Sequence, residues 1–119
     1  MKIAFDSRTG NVKRFVGKLE MDAFNISEID YADEPFALIT YTTGMGMVPQ
    51  KTLDFLEKNH KNLVGVASSG NRNWGNNFAK SAEIISVMYG VPILLKFELF
   101  GTENDIKSFK QALDNLRLD

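Results

Sequence analysis

Three short segments of this chain carry hydroxyl, amide and glycine residues in patterns suited to holding an anion and a flat ring. The first is Ser7-Arg8-Thr9-Gly10-Asn11, between an apolar run and the start of an amphipathic segment. Small hydroxyl residues and a glycine let successive backbone N–H groups converge on an anion, with a helix dipole behind them. The second is Thr42-Thr43-Gly44-Met45-Gly46-Met47. Its two glycines admit backbone conformations closed to other residues and let a flat ligand approach the main chain. The third runs from Ser68 to Asn76 and contains Ser69, Gly70, Asn71, Asn73, Trp74 and Gly75. Trp74 is the only tryptophan, and it lies among glycine and asparagine rather than in an apolar stripe.

Each segment also has a purely structural reading. The first could cap a helix, the second could be a turn with methionines as core filler, and Trp74 could anchor its loop on the core. Side by side, an anion cradle, a glycine-rich wall and an aromatic-bearing loop suit a phosphorylated planar aromatic ligand. Flavin mononucleotide (FMN) matches best. That reading requires all three segments to meet at one edge of the fold.

The elements that would bring them there follow from hydrophobic periodicity. Residues 3–5, 36–41, 63–67 and 93–99 are apolar runs of strand type, and residues 22–27 alternate as a half-exposed strand does. Val12, Phe15, Val16 and Leu19 recur at helical spacing, with Asn11 as the expected N-cap. Pro49 suits the first turn of a helix that carries Leu53 and Leu56 inward. The segment from Phe78 through Ala82, Ile85 and Met88 is helical, stopped by Gly90. Thr102 and Asp105 cap a last helix with the inner stripe Ile106, Phe109, Leu113 and Leu116.

The expected order is β-α-β-β-α-β-α-β-α, an α/β domain over residues 1–119 with a parallel sheet covered on both faces. Only residues 28–35 separate the second and third strands, whereas a parallel crossover takes a dozen residues or more. Either one crossover helix has been lost, the reading preferred here, or these strands form a tight antiparallel pair. In an open α/β sheet, ligands bind beyond the carboxyl ends of the strands, where all three segments fall.

Composition narrows the chemistry. The chain has 119 residues and a formal net charge of −1, which argues against a nucleic-acid coat. No run is long and apolar enough for a membrane span, and the start of the chain is too short for the apolar core of a signal peptide. There is no cysteine, so thiolate metal sites and cysteine nucleophiles are excluded and redox chemistry must come from a bound cofactor. That composition fits a cytoplasmic protein. No metal site is expected, because His60 is the single histidine, and its place after Glu57-Lys58-Asn59 suits a helix end better than a catalytic base. Six acids lie between Glu20 and Glu34 with no Lys or Arg among them, while residues 42–53 and 58–82 contain no acid. Arg8, Lys51, Arg72 and Lys80 lie in or just after the three segments, so a basic ligand rim is expected. Such a rim would favour two-electron reduction of a flavin.

Thr42-Thr43-Gly44-x-Gly46-x-Val48-Pro49, Gly70-Asn71-x-Asn73-Trp74-Gly75 and Phe97-Glu98-Leu99-Phe100-Gly101-Thr102 with Asp105 carry a family resemblance. Together with residues 7–11, they resemble the NrdI family, flavodoxin-like proteins that work with class Ib ribonucleotide reductase. Thr42-Thr43 stands where that family often has glycine. The resemblance implies a flavodoxin-like three-layer sandwich with a five-stranded parallel sheet of order 2-1-3-4-5 and a shortened crossover between strands 2 and 3. It implies an FMN protein whose reduced flavin reacts with dioxygen. The superoxide or peroxide would serve assembly of the tyrosyl radical cofactor in the reductase's small, dimanganese subunit. Residues 7–11 would then bind the phosphate, and Thr42–Gly46 and Ser69–Trp74 would surround the ring. The flavin would carry the chemistry, with no catalytic side chain, in an accessory protein supplied by a separate electron donor. The alternative is an electron-transfer flavodoxin acting as a reductant carrier. A phospho-acceptor domain on this fold would need an aspartate ending the third strand, where Tyr41-Thr42 stands instead.

Overall fold

The central strands are apolar on consecutive residues because both faces of their sheet are covered. In the computed structural model, which describes residues 1–116, Ile3, Phe5, Ala37 and Ile39 point into one core while Ala4, Phe36, Leu38 and Val66 point into another. The strands are β1 (Lys2–Phe5), β2 (Ala23–Asn25), β3 (Phe36–Tyr41), β4 (Leu63–Gly70) and β5 (Ile93–Glu98). They form one parallel sheet of order β2-β1-β3-β4-β5. The helices are α1 (Asn11–Leu19), α2 (Gln50–Asn59), α3 (Lys80–Tyr89) and α4 (Glu103–Asp114). Helices α1 and α4 cover the first core, and α2 and α3 cover the second. Phe15 of α1 is the hub of the first core. It stacks on Phe97 at 4.2 Å between ring centroids and meets Phe109 of α4 edge-on at 5.9 Å. Such aromatic pairs add about 0.5–1.5 kcal/mol each beyond their burial.

The missing crossover helix is the feature that residues 28–35 foretold. β2 and β3 both run parallel to β1, on opposite sides of it, so no antiparallel pair forms. The short link is held by α2 instead of by a helix of its own. Buried Asn59 accepts from the Ala32 N–H at 2.7 Å and donates to the Asp30 carbonyl at 2.9 Å. Asn62, just beyond α2, donates to the Ala32 carbonyl at 2.9 Å. These amides replace the internal hydrogen bonds that a crossover helix would have made.

Several boundaries differ from the sequence reading. Asn11 is the first residue of α1, and Gly10, with φ 94°, occupies the cap position. The capping bond comes from farther back, where Ser7 Oγ accepts from the Lys13 N–H at 3.2 Å. Pro49 precedes α2 rather than lying in its first turn. The inward residues of α2 are Thr52, Phe55, Leu56 and Asn59, with Leu53 only half-buried. Phe78 lies outside α3, and Met88 is exposed. β4 runs on through Ser68-Ser69-Gly70, since a backbone ladder with β3 and β5 does not require apolar side chains. The capping box of Thr102 and Asp105 is present as expected; of the expected stripe Phe109 is buried, Ile106 and Leu113 are partly buried on α4, and Leu116 packs on the same core from beyond the end of the helix.

Truncating Asn59 leaves two crossover backbone groups without partners. Asn59→Ala is expected to cost about 1–3 kcal/mol, read as a lower urea midpoint with an unchanged m-value. A midpoint equal to that of the unaltered protein would show that the link needs no such tether.

Candidate functional site

The parallel sheet brings the carboxyl ends of β1, β3 and β4 to one edge, and a cleft of about 350 Å³ opens there. Its walls come from all three segments: Ser7, Arg8, Thr9 and Asn11; Thr42, Thr43 and Gly44; Ser69, Gly70, Asn71 and Trp74. Its volume lies in the range of small-molecule sites. A neighbouring depression of about 290 Å³, between the crossover link and α2, gathers none of these segments.

The first loop ends at the start of α1. Among the described residues, the N–H groups of residues 8–12 find no protein acceptor, while the Lys13 N–H is taken by Ser7. Gly10 turns this chain through the left-handed region, where a side chain is strained. Five open N–H groups, the Ser7 and Thr9 hydroxyls and the Arg8 guanidinium make a donor set suited to a phosphate monoester.

The second loop is a hairpin. Thr43 and Met47 exchange both backbone hydrogen bonds, N to O, at 2.9 and 2.8 Å. Gly44 and Gly46 take positive φ within it. A β-carbon on Gly46 would lie 3.0 Å from Asn77 Oδ1, so the hairpin rests directly against the third loop. Its base is fastened to α3. Ser81 Oγ lies 2.8 Å from the Tyr41 carbonyl and 3.1 Å from that of Met47, and Thr42 Oγ1 accepts from the Ser81 N–H at 3.3 Å. That acceptor role explains a threonine at position 42, since glycine would leave the Ser81 N–H open.

The third loop leaves β4 at Gly70, whose backbone nearly touches Ala79: a β-carbon there would lie 2.4 Å from the Ala79 nitrogen. Ser68 Oγ donates to the Ala79 carbonyl and accepts from the Ala82 N–H, so a strand side chain caps α3. Asn71 Oδ1 accepts from the Asn73 N–H at 2.9 Å, and a short 3-10 turn over residues 72–77 follows. Trp74 joins neither core cluster; it is 39% exposed and lines the cleft.

The cleft does not include every residue the sequence singled out. Gly10, Met45, Gly46, Asn73 and Gly75 shape the loops without lining it. Val12, Tyr41 and Leu99 line it and were missed as site residues. Leu99 had a signal, since it stands inside the Phe97–Thr102 motif; its φ of 53° marks the sharp turn that exposes it. Tyr41 ends an apolar strand, and nothing in the sequence around it signals a cleft wall.

The basic rim is smaller than the sequence suggested. Of its four residues only Arg8 lines the cleft. Lys51 lies in an adjoining depression with Asp6, Ser7 and Arg8. Arg72 pairs with Glu98 at 3.7 Å, and Lys80 lies along α3 beside Glu83 at 3.4 Å. Lys96 also holds Glu83, at 2.6 Å, and keeps that carboxyl below the usual glutamate range. Glu98 comes from β5, far along the chain from Arg72, so a linear reading overlooks that pair; Glu83 follows Lys80 by three residues on α3, a local pair. His60 closes α2 with Nδ1 3.0 Å from the Leu56 carbonyl, a capping role remote from the cleft.

Asp6, at the end of β1, is the buried ionisable group beside the cleft. Burial pushes its pKa up, partly offset by a 2.8 Å hydrogen bond from Thr52 Oγ1 and by the charge of Lys51. Thr52 in turn meets Thr40 Oγ1 at 2.8 Å, tying β1, α2 and β3 together. Burial and the Asp6 charge also raise the Tyr41 phenol, against Arg8.

The sheet order and the three-loop cleft at its carboxyl edge define a flavodoxin-type α/β protein. This chain belongs to the NrdI flavodoxin-like family, whose sequence profile, described as "NrdI Flavodoxin like", matches residues 3–111. It is 57% identical over 117 residues to Protein NrdI of Bacillus licheniformis, covering 98% of this chain and 89% of that one. Among solved structures it resembles a short-chain flavodoxin associated with a non-canonical PDU bacterial microcompartment, at TM-score 0.70 and 19% identity over 97% of this chain and 94% of that one. It also resembles the Fusobacterium nucleatum flavodoxin bound to flavin mononucleotide, at TM-score 0.58 and 14% identity over 97% and 95% of the two chains. No helix among the described residues is long and apolar enough to cross a membrane.

Because folded Asp6 holds its proton more tightly than the unfolded chain does, the folded state binds more protons between the ordinary and the raised pKa. Stability from this group is therefore lost as pH rises through that window. Asp6→Asn keeps an acceptor for Thr52 without the charge. It is expected to flatten that part of the Tm–pH curve and to raise Tm at neutral pH, in thermal melts from about pH 4 to 8. Parallel curves for the two proteins would remove Asp6 as the source.

Proposed function

We propose that this chain binds FMN in the three-loop cleft and that its reduced flavin reacts with dioxygen, supplying superoxide or peroxide for assembly of the dimanganese-tyrosyl radical cofactor of class Ib ribonucleotide reductase. The observation that carries the reading is a loop whose residues 8–12 have no protein acceptor for their N–H groups among the described residues and whose Ser7, Arg8, Thr9 and Asn11 line the same cleft as Gly44, Gly70 and Trp74, in a chain of the NrdI family. The cradle would take the phosphate, with Arg8 offsetting its charge. The glycine-bearing hairpin and Trp74 would flank the ring, and the backbone of residues 43–44 and 69–71 would meet its polar edge. With no cysteine in the chain, electrons have no store other than the cofactor. The protein would work in the cytoplasm, with a separate electron donor and with the reductase's small subunit as its recipient.

A second reading, an electron-transfer flavodoxin, gains from Glu98, which neutralises one of the expected rim cations. Stepwise reduction separates the two. Uptake of both electrons close together supports the proposed role. Well-separated single-electron uptake with a very low second potential supports the carrier.

The purified protein is expected to be yellow and to take up added FMN. Thr9→Ala removes one donor and should weaken FMN by about five- to tenfold, while Gly10→Val strains a left-handed position and should weaken it more, by fluorescence titration. Unchanged affinity in both would remove the loop from the site. Trp74→Ala should alter the flavin absorption spectrum with little loss of stability; the reverse pattern would make Trp74 an anchor only. The function itself is tested by mixing reduced protein, oxygen and the manganese-loaded small subunit, with the tyrosyl radical signal as the expected result. No radical above a control lacking this protein would count against it.

A further inference from the structure

We propose that Met45 and Met47 are a modification site, oxidised to methionine sulfoxide by peroxide formed in the adjoining cleft before it escapes to solvent. This rests on the flavin–dioxygen reading above. The chain has five methionines and no cysteine, so thioether sulfurs are its softest nucleophiles and no thiol competes with them. Met45 and Met47 are the most exposed, at 83% and 62%, against 53% for Met88 and 48% for Met1. Met21 packs partly against the core of α1 and α4.

Place separates them further. Met45 and Met47 belong to the hairpin whose Gly44 forms the cleft wall. The Met47 sulfur lies 3.6 Å from the point where a β-carbon on Gly44 would stand, so one residue's width separates it from the cleft. Met88 lies on the outer face of α3 with Lys80, Glu83 and Val87, and Met1 lies beside Leu19 and Glu20. The hairpin borders the cleft in which the oxidant would form, whereas Met88 and Met1 lie in depressions that share no residue with it.

The step is a two-electron oxygen transfer. The O–O bond of hydrogen peroxide breaks, one S–O bond forms, the sulfur loses two electrons, and the second oxygen leaves as water. An apolar, flexible side chain becomes a polar one, on a rim where Trp74 and Leu99 also expose apolar surface. A partner that uses this rim would find it progressively wetter with each unproductive oxygen reaction.

The test compares two ways of delivering peroxide to the FMN-loaded full chain. In one, the flavin is reduced with stoichiometric dithionite and air is admitted in repeated cycles with catalase present. In the other, hydrogen peroxide is added to the oxidised protein without catalase. Peptide mass spectrometry reads the oxygen adduct at each methionine, and a catalase-free reduction arm measures oxygen uptake and peroxide yield. The expected result is a ratio of Met45 plus Met47 oxidation to Met88 oxidation about tenfold higher under cycling than under added peroxide. Equal ratios with normal oxygen uptake would overturn the proposal and leave the proposed function standing. Absence of oxygen uptake would overturn the proposed function, and this proposal with it.

Discussion

The arrangement of the cleft depends on one polar cluster at the start of α3. The Ser81 hydroxyl sits between two carbonyls of the β3 side, and Ser68 takes both a donor and an acceptor from the first turn of the helix. Through these contacts α3 holds the second and third loops at fixed separation. The cluster is buried, so each hydroxyl it contains would cost free energy if its partners moved away. Gly70 completes it, because any larger residue would drive β4 and Ala79 apart. The loops can therefore be rich in glycine and still keep a defined cleft between them.

A similar economy appears at the opposite edge. Where a longer protein of this fold class would spend a helix to cross from β2 to β3, this chain uses a short link and two asparagine side chains. Asn59 and Asn62 are placed by α2 and the turn beyond it, elements needed in any case to cover the second core. The cost is that folding of the link depends on α2 being in place, since the link forms few bonds within itself.

Electrostatics around the cleft are local rather than a field of one sign. Arg8 lines the cleft, Lys51 offsets Asp6, and Arg72 is tied to Glu98 while also lying over the Phe78 ring at 4.6 Å. The exposed pair contributes little to stability but does hold the third loop against β5. What distinguishes the cleft is thus one guanidinium beside a set of open backbone donors, with apolar side chains at its mouth.

The order of elements, the parallel sheet and the shortened crossover were legible in the sequence, because continuous apolar runs, helical spacing and link length are properties of neighbouring residues. The three loops that meet at the cleft were legible for the same reason, as glycine and hydroxyl residues announce themselves wherever they fall. The capping box at Thr102 was likewise local. Three things were decided only by the tertiary structure. Helix α3 is capped by the hydroxyls of Thr42, just past β3, and of Ser68 in β4, so its true start at Lys80 has no sequence signal. The basic rim is cut back by Glu98, which reaches Arg72 from a strand distant along the chain, while Lys80 is taken by Glu83 one turn on along the same helix. Tyr41 and Leu99 become cleft walls because strand ends and a left-handed turn expose one side of residues that composition marks as core. The sequence by itself determined which backbone shapes each segment could adopt; folding decided which charges and hydroxyls would face each other, since partners far apart in the chain meet only when the sheet closes its ladder.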